Sequence, residues 1–278
     1  HWLSVYNLPT GSFADMHNTV FVFTRKKILG FDPATKKTMV AISIPETFYI
    51  YNYSFIVKSP NGKIYAGANG LVYGEDLESP IIFEIDPISK KITFLPRHPA
   101  NLVKILSAYV TEKYLYCDGG FVHDHSEGYL EKPERWRFNI LENTWEKLQT
   151  PSISYDGTIS TLISFRYKNQ LFRFGKDPET FMSSLYSFDP NSESWQKVRE
   201  FENLENLDAN EVPIIGNKAF FRSVVDLVEM NLDDYSFRSV NMWPSSSNLI
   251  NPVVIGSKIY STNFNRVYET DPAFFKYD

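Results

Sequence analysis

At 278 residues the chain has room for one large domain or two ordinary ones, so internal repetition has to decide its organisation. Hydrophobic residues at 43% and charged residues at 22% are the proportions of a globular protein with a core, and a net charge of −5 excludes a general nucleic-acid binder, which carries a basic excess. The lone cysteine, Cys117, excludes an intramolecular disulfide and leans toward a cytoplasmic, reducing compartment. No apolar run approaches the length of a membrane span, so a soluble protein is expected. The first residue is His1 rather than Met, and the sequence does not fix the localisation.

In chain order the sequence reads as short strands between turn residues. "HWLSVYNLP" at 1–9 is a spare strand, and "ILGFDPATKKTMVAISIP" at 28–45 is two strands around an Asp-Pro turn. "TFYIYNYSF" at 47–55 alternates Tyr49, Tyr51 and Tyr53 with Phe48, Ile50 and Asn52, which predicts one tyrosine-rich strand face. "SFIVKSPNGKIYAGANG" at 54–70 is a hairpin turned by Asn-Gly, followed by the pair "IIFEIDPISKKITFLP" at 81–96. "ILSAYVTEKYLYCDGG" at 105–120 is the next hairpin; it leads through "FVHDHSEGY" at 121–129 into "RWRFNILENTWEKLQTP" at 135–151. The order then repeats: "STLISFRYKNQLFRFGK" at 160–176 precedes "LYSFDPNSESWQKV" at 185–198, and "VPIIGNKAFFRS" at 212–223 precedes "LVEMNLDDYSFRSV" at 227–240. "PVVIG" and "SKIYSTN" at 252–263 precede "VYETDPAFFKYD" at 267–278.

Asp32, Asp86, Asn139, Asp189, Asn231 and Asp271 mark the same turn in successive repeats. They lie 54, 53, 50, 42 and 40 residues apart, and the interval joined through the two termini is 39. The last repeat lacks its final strand and the N-terminus carries a spare one. The expectation is an all-β, six-bladed β-propeller of four-stranded antiparallel blades, a single domain over 1–278, with the ring closed by the N-terminal strand completing the last blade.

Within that pattern the sequence resembles a divergent kelch-type propeller. The resemblance is carried by Gly119-Gly120 after "KYLYCD", by Trp136 and "FNILENTWEKL" with Trp145, by "LYSFDPNSESWQKV" with Trp195, and by "VYETDP" followed across the termini by Trp2. It covers most of the chain as architecture, but the tryptophan recurs only in blades 3, 4 and 6 and the double glycine only in blade 3. "SPNGKIYAG" at 59–67 is also similar to hairpins of six-bladed lactonase-type propellers. The kelch resemblance implies a kelch-repeat protein-interaction module, with a minority of such proteins acting on sugars or binding iron. The Glu-x3-Asp-x3-His spacing it implies for iron is absent, and no metal or other cofactor is assigned.

With strands named a to d outward, the marker turns and the a–b hairpins share one end of the blades. The d–a and b–c loops share the other, and the long segments 67–80, 119–134 and 199–210 fall there. Candidate ligand-binding residues at that end are Tyr49, Tyr51, Tyr53, Asp118, His123, Asp124, His125, Arg25, Arg173, Arg222 and Arg266. The tyrosines offer stacking surfaces and the arginines bidentate contacts to carboxylates. The expected function is protein–protein interaction, a partner protein or peptide being bound through the d–a and b–c loops; a sugar or other small-molecule ligand is kept open. The alternative is an enzyme acting on a carbohydrate or sugar acid by acid–base chemistry at the channel mouth, with His123 or His125 as base and Glu127 or Asp118 as partner.

Overall fold

A computed structural model describes residues 3–7, 12–16, 18–35, 37–72, 80–100, 102–124, 126, 128–149, 163–176, 182–202, 207, 212–222, 227–240, 250–263 and 266–270. Every regular element among them is a β-strand, and none of them forms a helix long and apolar enough to cross a membrane. The N-terminal strand is β1 (Leu3–Asn7). A first sheet follows, of β2 (Ser12–Met16), β3 (Thr19–Phe23), β4 (Lys27–Asp32) and β5 (Lys37–Ser43). The second holds β6 (Phe48–Lys58), β7 (Ile64–Val72), β8 (Ile81–Asp86) and β9 (Lys91–Phe94). The third holds β10 (Lys104–Val110), β11 (Tyr114–Asp124), β12 (Gly128–Asn139) and β13 (Thr144–Lys147). The fourth holds β14 (Ser164–Tyr167), β15 (Gln170–Lys176), β16 (Ser183–Asp189) and β17 (Ser194–Phe201). The fifth holds β18 (Ile214–Ile215), β19 (Lys218–Arg222), β20 (Leu227–Asn231) and β21 (Phe237–Val240). These five sheets each use four consecutive strands. In the remaining sheet β22 (Ile250–Ile255), β23 (Lys258–Asn263) and β24 (Arg266–Thr270) are joined by β1, with Leu3 opposite Glu269 and Asn7 opposite Arg266.

The repeated marker residue has a physical role. In five turns its side-chain oxygen accepts a hydrogen bond from the backbone N–H two residues on: Ala34 N to Asp32 at 2.8 Å, Ile88 N to Asp86 at 2.9 Å, Leu141 N to Asn139 at 3.1 Å, Asn191 N to Asp189 at 2.9 Å, and Asp233 N to Asn231 at 3.0 Å. Asp and Asn suit this position because their short side chains imitate a backbone carbonyl. Hydrogen bonds within these turns hold the Asp32, Asp86 and Asp189 carboxyls below the usual carboxylate range, led by the Thr35 hydroxyl for Asp32, the Ser89 N–H for Asp86 and the Ser192 hydroxyl for Asp189, with the N–H two residues on adding to each. Four residues after the marker the chain turns left-handed, at Lys90, Asn143, Glu193 and Tyr235. Asp271 lies outside the described residues.

The double glycine has two separate causes. Gly119 sits at φ +65°, in a break in register between Asp118 and Gly120, where a left-handed residue re-aims the strand. Gly120 is needed for space: a Cβ there would stand 2.6 Å from the Lys104 carbonyl oxygen and 2.7 Å from a Leu102 methyl. Gly120→Ala is therefore expected to cost about 1–3 kcal/mol, by forcing β10 and β11 apart. A urea titration of the variant reads this directly, and an unchanged midpoint would show that the strands separate freely.

The chain divides into two compact units, one of Phe23–Leu29 and Val40–Tyr155 and the other of His1–Val22, Gly30–Met39 and Asp156–Asp278. In the first, Phe55, Tyr65 and Ile82 of the second sheet pack on Ile105, Ala108, Leu115, Cys117 and Phe138 of the third. Cys117 is buried there, on β11, and burial pushes its thiol well above the ordinary range. In the other unit, Phe165, Phe172, Phe174 and Leu185 of the fourth sheet pack on Ala219, Phe221 and Met230 of the fifth. Phe220, one residue along β19 from Phe221, joins Leu227, Val240 and Ile259 instead. Adjacent residues thus serve opposite faces of one sheet.

Candidate functional site

In the first of these units, two strand pairs are drawn out at the end that carries the b–c connections. β6 and β7 stay paired as far as Phe48 and Val72, and β11 and β12 as far as Asp124 and Gly128. The segment 119–134, expected as a loop, is instead mostly two strand arms, and 67–72 and 199–201 likewise belong to strands β7 and β17. His123 pairs with Tyr129 and Asp124 with Gly128 along the arms, whereas His125 and Glu127 lie outside the described residues.

The tyrosine alternation along β6 is broken by register shifts between Ile50 and Asn52 and between Tyr53 and Phe55. Tyr49 and Tyr51 are exposed, at 38% and 48%, and meet edge to face with ring centroids 5.3 Å apart. Tyr53 departs from that pair. Its ring packs edge-on against Phe23 at 5.5 Å, and its hydroxyl donates to the Thr24 carbonyl at 2.8 Å. Burial pushes the Tyr53 phenol far up from its ordinary value. The expected three-tyrosine face is thus an exposed pair plus one anchoring residue.

The anchor reaches the turn that joins β3 to β4. There Thr24 Oγ1 donates to the Lys27 carbonyl at 2.6 Å and accepts from the Lys27 N–H at 3.2 Å, while the Ile44 N–H donates to the Lys26 carbonyl at 2.9 Å. Arg25, Lys26 and Lys27 are all exposed on this fixed turn. Of the predicted residues, Tyr53 reaches the turn that carries Arg25, through the Thr24 carbonyl.

Asp118 does not belong to an open site. It is fully buried, 0% exposed, and its Oδ1 accepts from Arg135 Nε at 3.0 Å. Arg135, only 1% exposed, also donates through Nη2 to the Tyr109 hydroxyl at 2.8 Å. A carboxylate held this way is not available as partner to a catalytic histidine. Arg173 is also buried, 0% exposed, with its guanidinium 4.5 Å from the Trp195 ring and its Nε donating to Ser164 Oγ at 3.2 Å. Arg222 ends β19, and Arg266 begins β24 opposite Asn263, the last residue of β23. The four arginines therefore include one withdrawn into its own sheet. Among the described residues no three His, Cys, Asp or Glu side chains are grouped to hold a metal.

His98 is a residue the sequence reading passed over. It is 1% exposed, wedged against Trp145 at 4.7 Å and Trp136 at 5.6 Å between ring centroids. Its Nδ1 lies 3.3 Å from both the N–H and the carbonyl oxygen of Ala100, and its Nε2 has no hydrogen-bond partner. Burial pulls its pKa down to about 4, against smaller upward pulls from the Ala100 backbone and Glu134. The signal was available in "PRHPA", a histidine held between prolines directly after a strand, in a blade with two tryptophans.

No family model and no curated protein matches the chain. Solved structures do. An oligogalacturonate lyase in complex with manganese aligns over 91% of this chain and 74% of its own, with a TM-score of 0.55 and 12% identity. A chain of the nidogen/laminin complex aligns over 93% and 91%, with a TM-score of 0.59 and 10% identity. The fold is a β-propeller. The structure of YjhT also aligns, over 79% of this chain and 74% of its own, at a TM-score of 0.57 and 15% identity. At such identities these likenesses give the propeller its architecture and leave its chemistry to its own residues. The exposed tyrosine pair and the basic turn therefore lie at one end of propeller blades, where loops carry function on a rigid frame.

Proposed function

We propose that residues 1–278 form one kelch-type propeller of six blades, closed by β1, and that it is an interaction module for a protein or peptide partner. The pairing of β1 with β24 supports the closure. Two blades also repeat one aromatic contact at the tryptophans that carry the kelch resemblance: Phe138 meets Trp145 at 5.1 Å and 51°, and Phe188 meets Trp195 at 5.2 Å and 55°. The observation that carries the function is the exposed Tyr49–Tyr51 pair on a drawn-out inner strand. Two aromatic rings held edge to face outside the core present rigid contact area of the kind that anchors partners. The enzyme alternative is weakened, because Asp118 is already committed to Arg135.

Capture of a partner from lysate of the source organism is expected to fail for Tyr49→Ala/Tyr51→Ala. It is expected to persist for Ile88→Ala/Leu141→Ala, which removes the exposed side chains of two marker turns at the other blade ends. Loss of the tyrosine side chains should weaken binding by about 2 kcal/mol or more. Equal capture by wild type and the tyrosine variant would remove this rim from the function.

A further inference from the structure

We propose that the occupant of this rim is an acidic peptide segment, held by Arg25, Lys26 and Lys27 beside the Tyr49–Tyr51 shelf. The assignment rests on the interaction reading above and names the chemistry of the partner. Its first support is charge. In a chain of net charge −5, three consecutive cations stand exposed on one turn. Among the described residues none of the three is ion-paired, whereas Lys63 and Lys147 pair with Glu84 and Glu134.

The second support is rigidity. The turn's backbone is fixed by the Thr24–Lys27 bonds, by the Ile44 N–H on the Lys26 carbonyl, and by the Tyr53 hydroxyl on the Thr24 carbonyl. That last bond ties the basic turn to the strand bearing Tyr49 and Tyr51. Cations on a fixed turn lose little further freedom on binding, and pairing with a partner's carboxylates then adds to the aromatic contact. Arginine adds a planar fork that matches a carboxylate in two hydrogen bonds.

The test uses a fluorescently labelled poly-Glu peptide and its poly-Gln counterpart, with the whole chain and with Arg25→Glu/Lys26→Glu. Both positions are exposed, and a melting curve confirms that the variant folds. The poly-Glu peptide is expected to bind wild type, to weaken with added salt, and to lose about tenfold or more in affinity to the charge-reversed variant. The poly-Gln peptide is expected not to bind. Equal binding by wild type and the charge-reversed variant would overturn the assignment. A polygalacturonate fragment that binds about tenfold tighter than poly-Glu would overturn it too, by making the occupant an acidic polysaccharide. Partner capture lost with Tyr49→Ala/Tyr51→Ala but kept with the charge reversal would sink the acidic segment and leave the interaction rim standing.

Discussion

Arg135→Met is expected to destabilise the fold by about 3–5 kcal/mol. Arg135 and Asp118 are both removed from water, at 1% and 0% exposure, and each is the other's charge partner at 3.0 Å. Loss of the guanidinium leaves the carboxylate buried without its counter-charge and takes a donor from the Tyr109 hydroxyl. Asp118→Leu in the same background should recover most of the loss, because an apolar pair of similar bulk avoids the desolvation that the ion pair must overcome. Urea unfolding of wild type, Arg135→Met and the double variant separates the two effects. A single variant within about 1 kcal/mol of wild type would show that the pair is not what holds β11 to β12 at this level.

The second large effect is acid sensitivity at His98. Unfolded, its imidazole binds a proton at the ordinary value of 6.5; folded, only at about 4. Between those values the unfolded chain holds more protons than the folded one, so stability falls as pH falls. The contribution is fully present above 6.5 and is lost on the way down to about 4, to a total of about 3 kcal/mol. The geometry agrees with the sign: two indole rings surround the imidazole, and Nε2 has no acceptor to receive a new proton. His98→Phe keeps an aromatic ring in the cage and removes the titration. The difference in unfolding free energy between wild type and this variant should therefore shrink or reverse steadily from neutral pH downward. A difference independent of pH would mean that His98 titrates normally. The turn aspartates act at lower pH, since Asp32, Asp86 and Asp189 lose their protons below the usual range, so the two windows are separable.

Much of the architecture was legible because the marker residue is a local device. An Asp or Asn that binds the N–H two residues on makes the same turn wherever it occurs, and its recurrence therefore reveals the repeat. The double glycine and the tryptophans were legible for the same reason, each tied to a near neighbour in its own sheet. The site was less so. A regular ladder counted inward from the Asp124–Gly128 pair sets Asp118 opposite Glu134, carboxylate against carboxylate. The irregularity beyond Gly120 sets it opposite Arg135 instead, and turns a rim candidate into an interior ion pair. The tyrosine alternation failed in the same way at the breaks in β6. Strand periodicity assigns faces only until the first bulge, and bulges are invisible to a period-two count. His98 escaped because nothing in a loop's periodicity announces that it will be buried.

The pairing of β1 with β24 sets an order of events during synthesis. Among the described strands β1 is made before all the others and its partner β24 after them. Most of the other pairings join strands close in sequence and can form as the chain emerges, whereas this one spans almost the whole chain. Until β24 arrives, the nascent protein carries β1 as an unpaired edge, the form of strand most open to pairing with a neighbouring chain. Completion of that sheet is thus a step at which a cell's chaperones have an edge to protect, and a circular permutant that begins at β2 and carries β1 after β24 would turn this long-range contact into a local hairpin.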